Sequence, residues 1–224
     1  SYRNHDIDNF VLAAEKLASM GYFVFRMGVV ANKPMKSNNS KIIDYVNNDL
    51  RSDFMDVYLG AKCEFCISTG LGFDEVPYIF KRPIALLSLP LGDLRSFSEK
   101  FLLLSKVHIF KKDKRRLSLS EIFSHGVAYA YDAKIFDEKG IELLDYSPEE
   151  IKDFVIEMVN YIKNTKGSNL DDEKLQSTFQ NLFELNLKRF DYRKQLKKPH
   201  YKFHGQIRSR YSINFLKNNT NWLK

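Results

Sequence analysis

The sequence predicts an α/β protein: a Rossmann-like parallel sheet flanked by helices, followed by a C-terminal helical extension. Three observations predict it. Helical and strand-like patterns alternate from Asp6 to Leu87, the order that builds a parallel sheet covered on both faces. A strand-like run, Cys63 to Ile67, leads directly into a glycine turn, Ser68-Thr69-Gly70-Leu71-Gly72, and then a helix. Two amphipathic helices with their own start signals precede a basic tail.

Composition sets the class. The chain has 224 residues, 44% hydrophobic and 28% charged, enough for one α/β domain with a sizeable core plus an extension. No apolar run approaches the roughly 20 residues of a membrane span, and Ser1 to Asp6 has no apolar core of a signal peptide. The expectation is a cytoplasmic protein. The two cysteines, Cys63 and Cys66, lie in an apolar strand pattern with no second pair to complete a zinc site, so they read as buried, reduced thiols. Net charge is +7, but Leu187 to Lys224 alone carries +10. The basicity belongs to the tail. Residues 1–165 read as the Rossmann-like domain and 166–224 as a helical, basic extension.

Asp6 to Met20 has Phe10, Val11, Ala14, Leu17 and Ala18 at helical spacing, with Gly21 as a stop. Tyr22 to Met27 follows as a buried strand ending at Gly28. Helix then strand is half of a βαβ unit, which places its first strand upstream of Ser1. Ala31 to Lys41, polar and carrying Pro34, is a surface loop, and Ile42 to Val46 a short apolar segment. Asp53 to Leu59 is a helix, Phe73 to Phe80 another, and Ile84 to Leu87 a strand entered through Pro83. Leu94 to Leu104 is mixed. Val107 to Phe110 is strand-like, Lys111 to Arg116 a solvated charge run, and Ser118 to Ser124 a short helix. Val127 to Ile135 shows no clear period. Ser147-Pro148-Glu149-Glu150 is a capping box that opens a helix with Ile151, Phe154, Val155, Met158 and Ile162 on one face. Leu170-Asp171-Asp172 starts the last helix, with Leu175, Phe179, Leu182 and Phe183 inward.

The runs SYRNHDIDNF, GYFVFRMG and KIIDYVNNDLRSDFMDVYLGAKCEFCISTGLGFDEVPYIFKRP resemble a family of bacterial proteins described as glycosyltransferases and encoded with surface-polysaccharide genes. The resemblance covers Ser1 to about Tyr146 and returns in RSRYSINFLKNNTNWL. That family resembles the C-terminal, nucleotide-sugar-binding half of GT-B glycosyltransferases, in which two Rossmann-like domains face each other. The resemblance implies a nucleotide-sugar donor, a saccharide or lipid-linked acceptor, an acceptor-binding domain ahead of Ser1, and no cofactor or metal.

Several residues suit that chemistry. Backbone amides at a strand-to-helix turn favour anions, which makes Ser68, Thr69, Gly70, Leu71 and Gly72 candidates for the donor's diphosphate. Asp74 and Glu75 either stabilise the helix dipole or accept from sugar and ribose hydroxyls. Arg26, at the end of an apolar strand beside Gly28, needs a partner: an internal salt bridge or the donor's phosphate. Arg3 and Asn4 lie at the mouth of the inferred upstream strand. His5 and Asp6 could supply a general base, although Asp6 also suits a helix N-cap, as does the triplet Asp6-Ile7-Asp8. Asp44 and Tyr45 are candidates for base recognition, while Asp53 and Asp56 suit capping and pairing with Arg51 or Lys62. The tail interleaves Lys and Arg with Phe190, Tyr192, Tyr201, Phe203, Tyr211 and Trp222. That mixture fits an anionic membrane surface at the inner face of the membrane, or nucleic acid, or a helix packed back on the domain. A nucleotide-sugar epimerase and a basic nucleic-acid-binding module are the competing functions.

Overall fold

The computed structural model describes residues 5–89, 91, 98–128, 130, 132–163, 169–190 and 208–224. In chain order its first half contains α1 (Asp8–Ser19), β1 (Val24–Phe25), β2 (Ile42–Ile43), α2 (Asp53–Lys62), β3 (Cys66–Ser68), α3 (Glu75–Ile79), β4 (Ile84–Leu89) and β5 (Phe101–Ser105). Then come β6 (Val107–Phe110), α4 (Leu119–Ser124), α5 (Ala133–Glu138), β7 (Ile141–Leu144), α6 (Pro148–Lys163), α7 (Leu170–Arg189), β8 (Arg210–Tyr211) and α8 (Ile213–Asn218). The protein is α/β, with a four-stranded parallel sheet in the order β3-β4-β5-β8 flanked by helices. The described residues form two compact units. One draws on residues 5–85 and 146–163, the other on residues 86–145, 169–190 and 208–224.

In the first unit, the Asp6 carboxylate accepts from the Asp8 amide at 3.0 Å, which secures the start of α1. Ala13, Ala14, Leu17 and Ala18 are buried, and α1 packs on α6. The capping box that opens α6 is present in both directions: Glu150 N donates to Ser147 Oγ at 3.2 Å, and Ser147 N to Glu150 Oε2 at 2.8 Å. Its apolar face buries Ile151, Phe154, Val155, Met158 and Val159. The α2 helix differs: of its residues only Gly60 is buried.

In the second unit, β5 is buried along its whole length. Next to it runs β8 in parallel, with Leu102 opposite Arg210 and Leu103 opposite Tyr211. Gln176 of α7 holds β8 from the other side, its amide bonded to both Tyr211 O (2.5 Å) and Tyr211 N (3.0 Å). Ser118 and Glu121 form a complete capping box on α4.

Several expectations change. The segment Tyr22 to Met27 is not a buried strand: pairing is confined to Val24–Phe25, and Phe23 and Phe25 are 66% and 39% exposed. β1 and β2 form their own two-stranded parallel pair rather than extending the larger sheet. β6 pairs with β7 in antiparallel fashion, so the all-parallel expectation fails there. The segment Phe101–Ser105, within a stretch without clear pattern, is a fully buried strand, since an apolar run covered on both faces shows no alternation. The charge run Lys111 to Arg116 is solvated as expected, and it adds surface ion pairs: Lys111 with Asp137, Lys114 with Glu142 and Arg115 with Glu121. In the basic tail, residues 191–207 lie outside the described residues, taking with them Tyr192, Tyr201 and Phe203. Tyr211 and Trp222, by contrast, are buried in an aromatic cluster with Phe179 and Phe215. Arg210 and Lys217 are paired with Glu173 and Asp172. The end of the chain is therefore core, because its aromatic residues close the apolar side of β5 and α7.

Candidate functional site

Ligands of open α/β sheets bind beyond the C-terminal ends of parallel strands. Two such ends belong to the first unit: those of the pair β1–β2, and that of β3.

Arg26 and Asp44 are the residues immediately after β1 and β2. The register pairs Val24 with Ile42 and Phe25 with Ile43, and Arg26 N still donates to Ile43 O at 2.9 Å. That register puts the two side chains together. Arg26 Nη1 donates to Asp44 Oδ1 at 3.3 Å and to Lys33 O at 2.7 Å. Asp44 Oδ2 accepts from Met35 N at 2.9 Å and Asn47 Nδ2 at 2.7 Å. The guanidinium is held by one nitrogen only, and its side chain is 15% exposed. Among the described residues no acceptor meets its Nε or Nη2. The internal salt bridge therefore forms, and it leaves a pre-oriented donor edge.

Lys33 joins Asp6 to this cluster. Its ammonium lies 2.5 Å from Asp6 Oδ1 and 2.6 Å from Asp8 Oδ2, while its carbonyl accepts from Arg26. The hydrogen bond from Lys33, helped by the Asp8 amide, lowers the Asp6 pKa. Asp6 and Asp8 in turn raise that of Lys33. The loop that carries Lys33 is secured further along, where Glu15 accepts from Ser37 Oγ and Asn39 Nδ2. The residues Arg26, Asp44 and Asp6, far apart in the chain, thus meet around residues 33–35.

The other candidates of this unit fall around that cluster. Gly28 has φ +152°, which disfavours any side chain, and its carbonyl accepts from Arg51 Nε at 3.2 Å. Tyr45 is buried and its hydroxyl accepts from Ser52 N at 3.0 Å. His5 packs edge-on against Phe10, ring centroids 6.3 Å apart. Arg3 and Asn4 lie outside the described residues.

At the end of β3, Gly70 and Gly72 take positive φ, 78° and 92°, as a tight turn requires. The side chains on either side close the turn from within. Ser68 Oγ accepts from Gly70 N at 2.9 Å, and the buried Asp74 accepts from Gly72 N at 3.1 Å through Oδ1. Both glycine amides expected to face a diphosphate are thereby engaged. Asp74 supports the turn, whereas Glu75 and Leu71 are exposed. The five-residue α3 contributes little dipole. Cys63 and Cys66 are free thiols, and burial raises the pKa of each, most strongly Cys66; neither is activated as a nucleophile.

Two features escaped the sequence reading. Lys33 sits in a polar loop and carries no motif; only the Asp6-x-Asp8 spacing gave a hint of a cation between the carboxylates. Ser105, buried with Tyr211 at 2.7 Å between hydroxyl oxygens, joined the core through a tail strand that has no periodic signal. Among the described residues no group of three or more His, Cys, Asp or Glu could hold a metal, and no helix is long and apolar enough to cross a membrane.

Comparisons with protein-family models, with curated proteins and with solved structures found no match to this chain.

Proposed function

We propose that the chain is the donor-binding part of a glycosyltransferase of GT-B type, moving a sugar from a nucleotide-sugar to a surface-polysaccharide or glycolipid acceptor. One observation carries the reading. At the C-terminal ends of two parallel strands, Arg26 is fixed by Asp44 and Lys33 O with its remaining N–H groups unused among the described residues. A guanidinium held that way suits a planar, bidentate contact with phosphate oxygens.

In the reaction, an acceptor hydroxyl oxygen bonds to the anomeric carbon as the bond from that carbon to the diphosphate oxygen breaks. The electron pair leaves on the diphosphate, whose charge Arg26 offsets. The hydroxyl proton passes to the Asp6 carboxylate, with His5 adjacent in sequence. Asp44 orients Arg26. Gly28 lines the donor side beside Arg26, Asp74 keeps the turn Ser68-Thr69-Gly70-Leu71-Gly72 in shape, and Glu75 at that turn accepts from sugar or ribose hydroxyls.

The test is titration of GDP-, UDP- and CMP-sugars while thermal unfolding is followed. One donor should raise the midpoint in step with its occupancy, and Arg26→Gln should abolish the rise. No response to any nucleotide or nucleotide-sugar would overturn the reading.

A further inference from the structure

The Lys33 ammonium sits between two carboxylates, Asp6 at 2.5 Å and Asp8 at 2.6 Å, while its own carbonyl holds Arg26. All three charged side chains are open to water, Lys33 at 40% exposure. Exposed ion pairs of this kind add little stability and exchange easily. The rest of the loop has separate attachments: Met35 N on Asp44, and Ser37 and Asn39 on Glu15. Lys33 can therefore leave its carboxylates without undoing the loop.

We propose that Lys33 is a parked cation of the donor site: it rests on Asp6 and Asp8 when the site is empty and transfers to the diphosphate when a donor binds. The transfer places a second positive charge beside Arg26, since the backbone of the same residue already touches that guanidinium. It also releases Asp6 from its ammonium partner as the donor arrives, so the carboxylate is free to accept a proton only once there is a donor to react. Lys33 thereby becomes both a phosphate contact and the element that times the exposure of the base. This inference rests on the glycosyltransferase reading given above.

The parked arrangement makes a prediction that a merely structural Lys33 would not. Carboxylates that compete for the ammonium weaken anion binding, so removing their charge should strengthen it. Binding of inorganic pyrophosphate, and of the nucleoside diphosphate that stabilises the wild type, is measured by calorimetry on the whole chain. Lys33→Met should weaken binding about tenfold, the scale of one charge-assisted hydrogen bond, and Lys33→Arg should recover most of the loss. The double variant Asp6→Asn, Asp8→Asn should bind pyrophosphate more tightly than the wild type. If Lys33 only ties the loop to α1, the double variant weakens binding as Lys33→Met does, and the inference falls. It falls equally if Lys33→Met binds like the wild type while Arg26→Gln does not, a result that leaves the donor-site reading intact. If the wild type binds neither pyrophosphate nor any nucleoside diphosphate, both fall together.

Discussion

The parallel pairs β1–β2 and β5–β8 are alike in their backbone and opposite in their surroundings. Each is a register of two residue pairs, Val24–Ile42 and Phe25–Ile43 in one, Leu102–Arg210 and Leu103–Tyr211 in the other. Beyond the first pair the chain presents Arg26, Asp44, Lys33 and Asp6, a charged group partly open to water. At the second, Tyr211 is sealed against Ser105, Gln176 and the rings of Phe179 and Trp222. Burial pushes its hydroxyl pKa up to about 12, so it remains neutral while accepting from Ser105 N and sharing a hydrogen bond with Ser105 Oγ. A strand pair closed by aromatic packing gives stability, because Tyr211's hydroxyl and backbone groups are bonded from within. A pair left with wet charges gives up that stability and keeps groups available for a ligand.

The largest effect expected from this contrast is at Tyr211. Tyr211→Ala should lower stability by about 3–5 kcal/mol, the usual cost of emptying a buried aromatic site, measured as a shift in the urea midpoint. An unchanged midpoint would break the comparison.

The same unit should carry an acid sensitivity of its own. His108 is buried, with Nδ1 2.9 Å from Lys106 O and, among the described residues, no hydrogen-bond partner at Nε2. Burial pushes its pKa down to about 4. In the unfolded chain the ring protonates near pH 6.5, whereas in the folded protein it stays neutral to about pH 4. The contribution is therefore complete above about pH 6.5 and is lost as pH falls toward 4, by about 3 kcal/mol in all. His108→Gln should flatten that part of the stability–pH curve; an unaltered slope assigns the sensitivity to other groups.

Gly60 sharpens the comparison from the other unit. A Cβ there would lie 2.7 Å from Val76 Cγ1, so Gly60→Ala should cost about 1–3 kcal/mol by overpacking, seen as a lower thermal midpoint. A stabilised Gly60→Ala protein would show that α2 and α3 separate without penalty. The smallest effect is expected at Lys33: Lys33→Met should change stability by no more than about 1 kcal/mol, although it sits at the centre of the charged cluster. A larger loss would make that cluster structural, like its buried counterpart.

Local signals carried much of the fold. The capping box at Ser147 and the apolar faces of α1 and α6 were readable because a helix records its environment every three or four residues. The strand–turn–helix from Cys66 to Ile79 was readable for a similar reason, its glycines being needed at positive φ. The charge run Lys111–Arg116 was readable as solvent-facing, but its surface ion pairs were not, because Asp137 and Glu142 lie 26 and 28 residues away in sequence. In the candidate site, Arg26 and Asp44 could each be singled out as charged residues ending apolar runs. Their pairing could not, since it depends on the β1–β2 register.

The sequence by itself determined the class, an α/β chain with helices of defined start and stop, since those follow from contacts between near neighbours. It also determined which strand ends carry charge. Tertiary structure decided which strands are neighbours, that residues 210–211 complete the larger sheet, and that Lys33 bridges Asp6 and Asp8 beside Arg26. Each of these joins residues far apart in the chain, and a single sequence has no period that marks such a meeting.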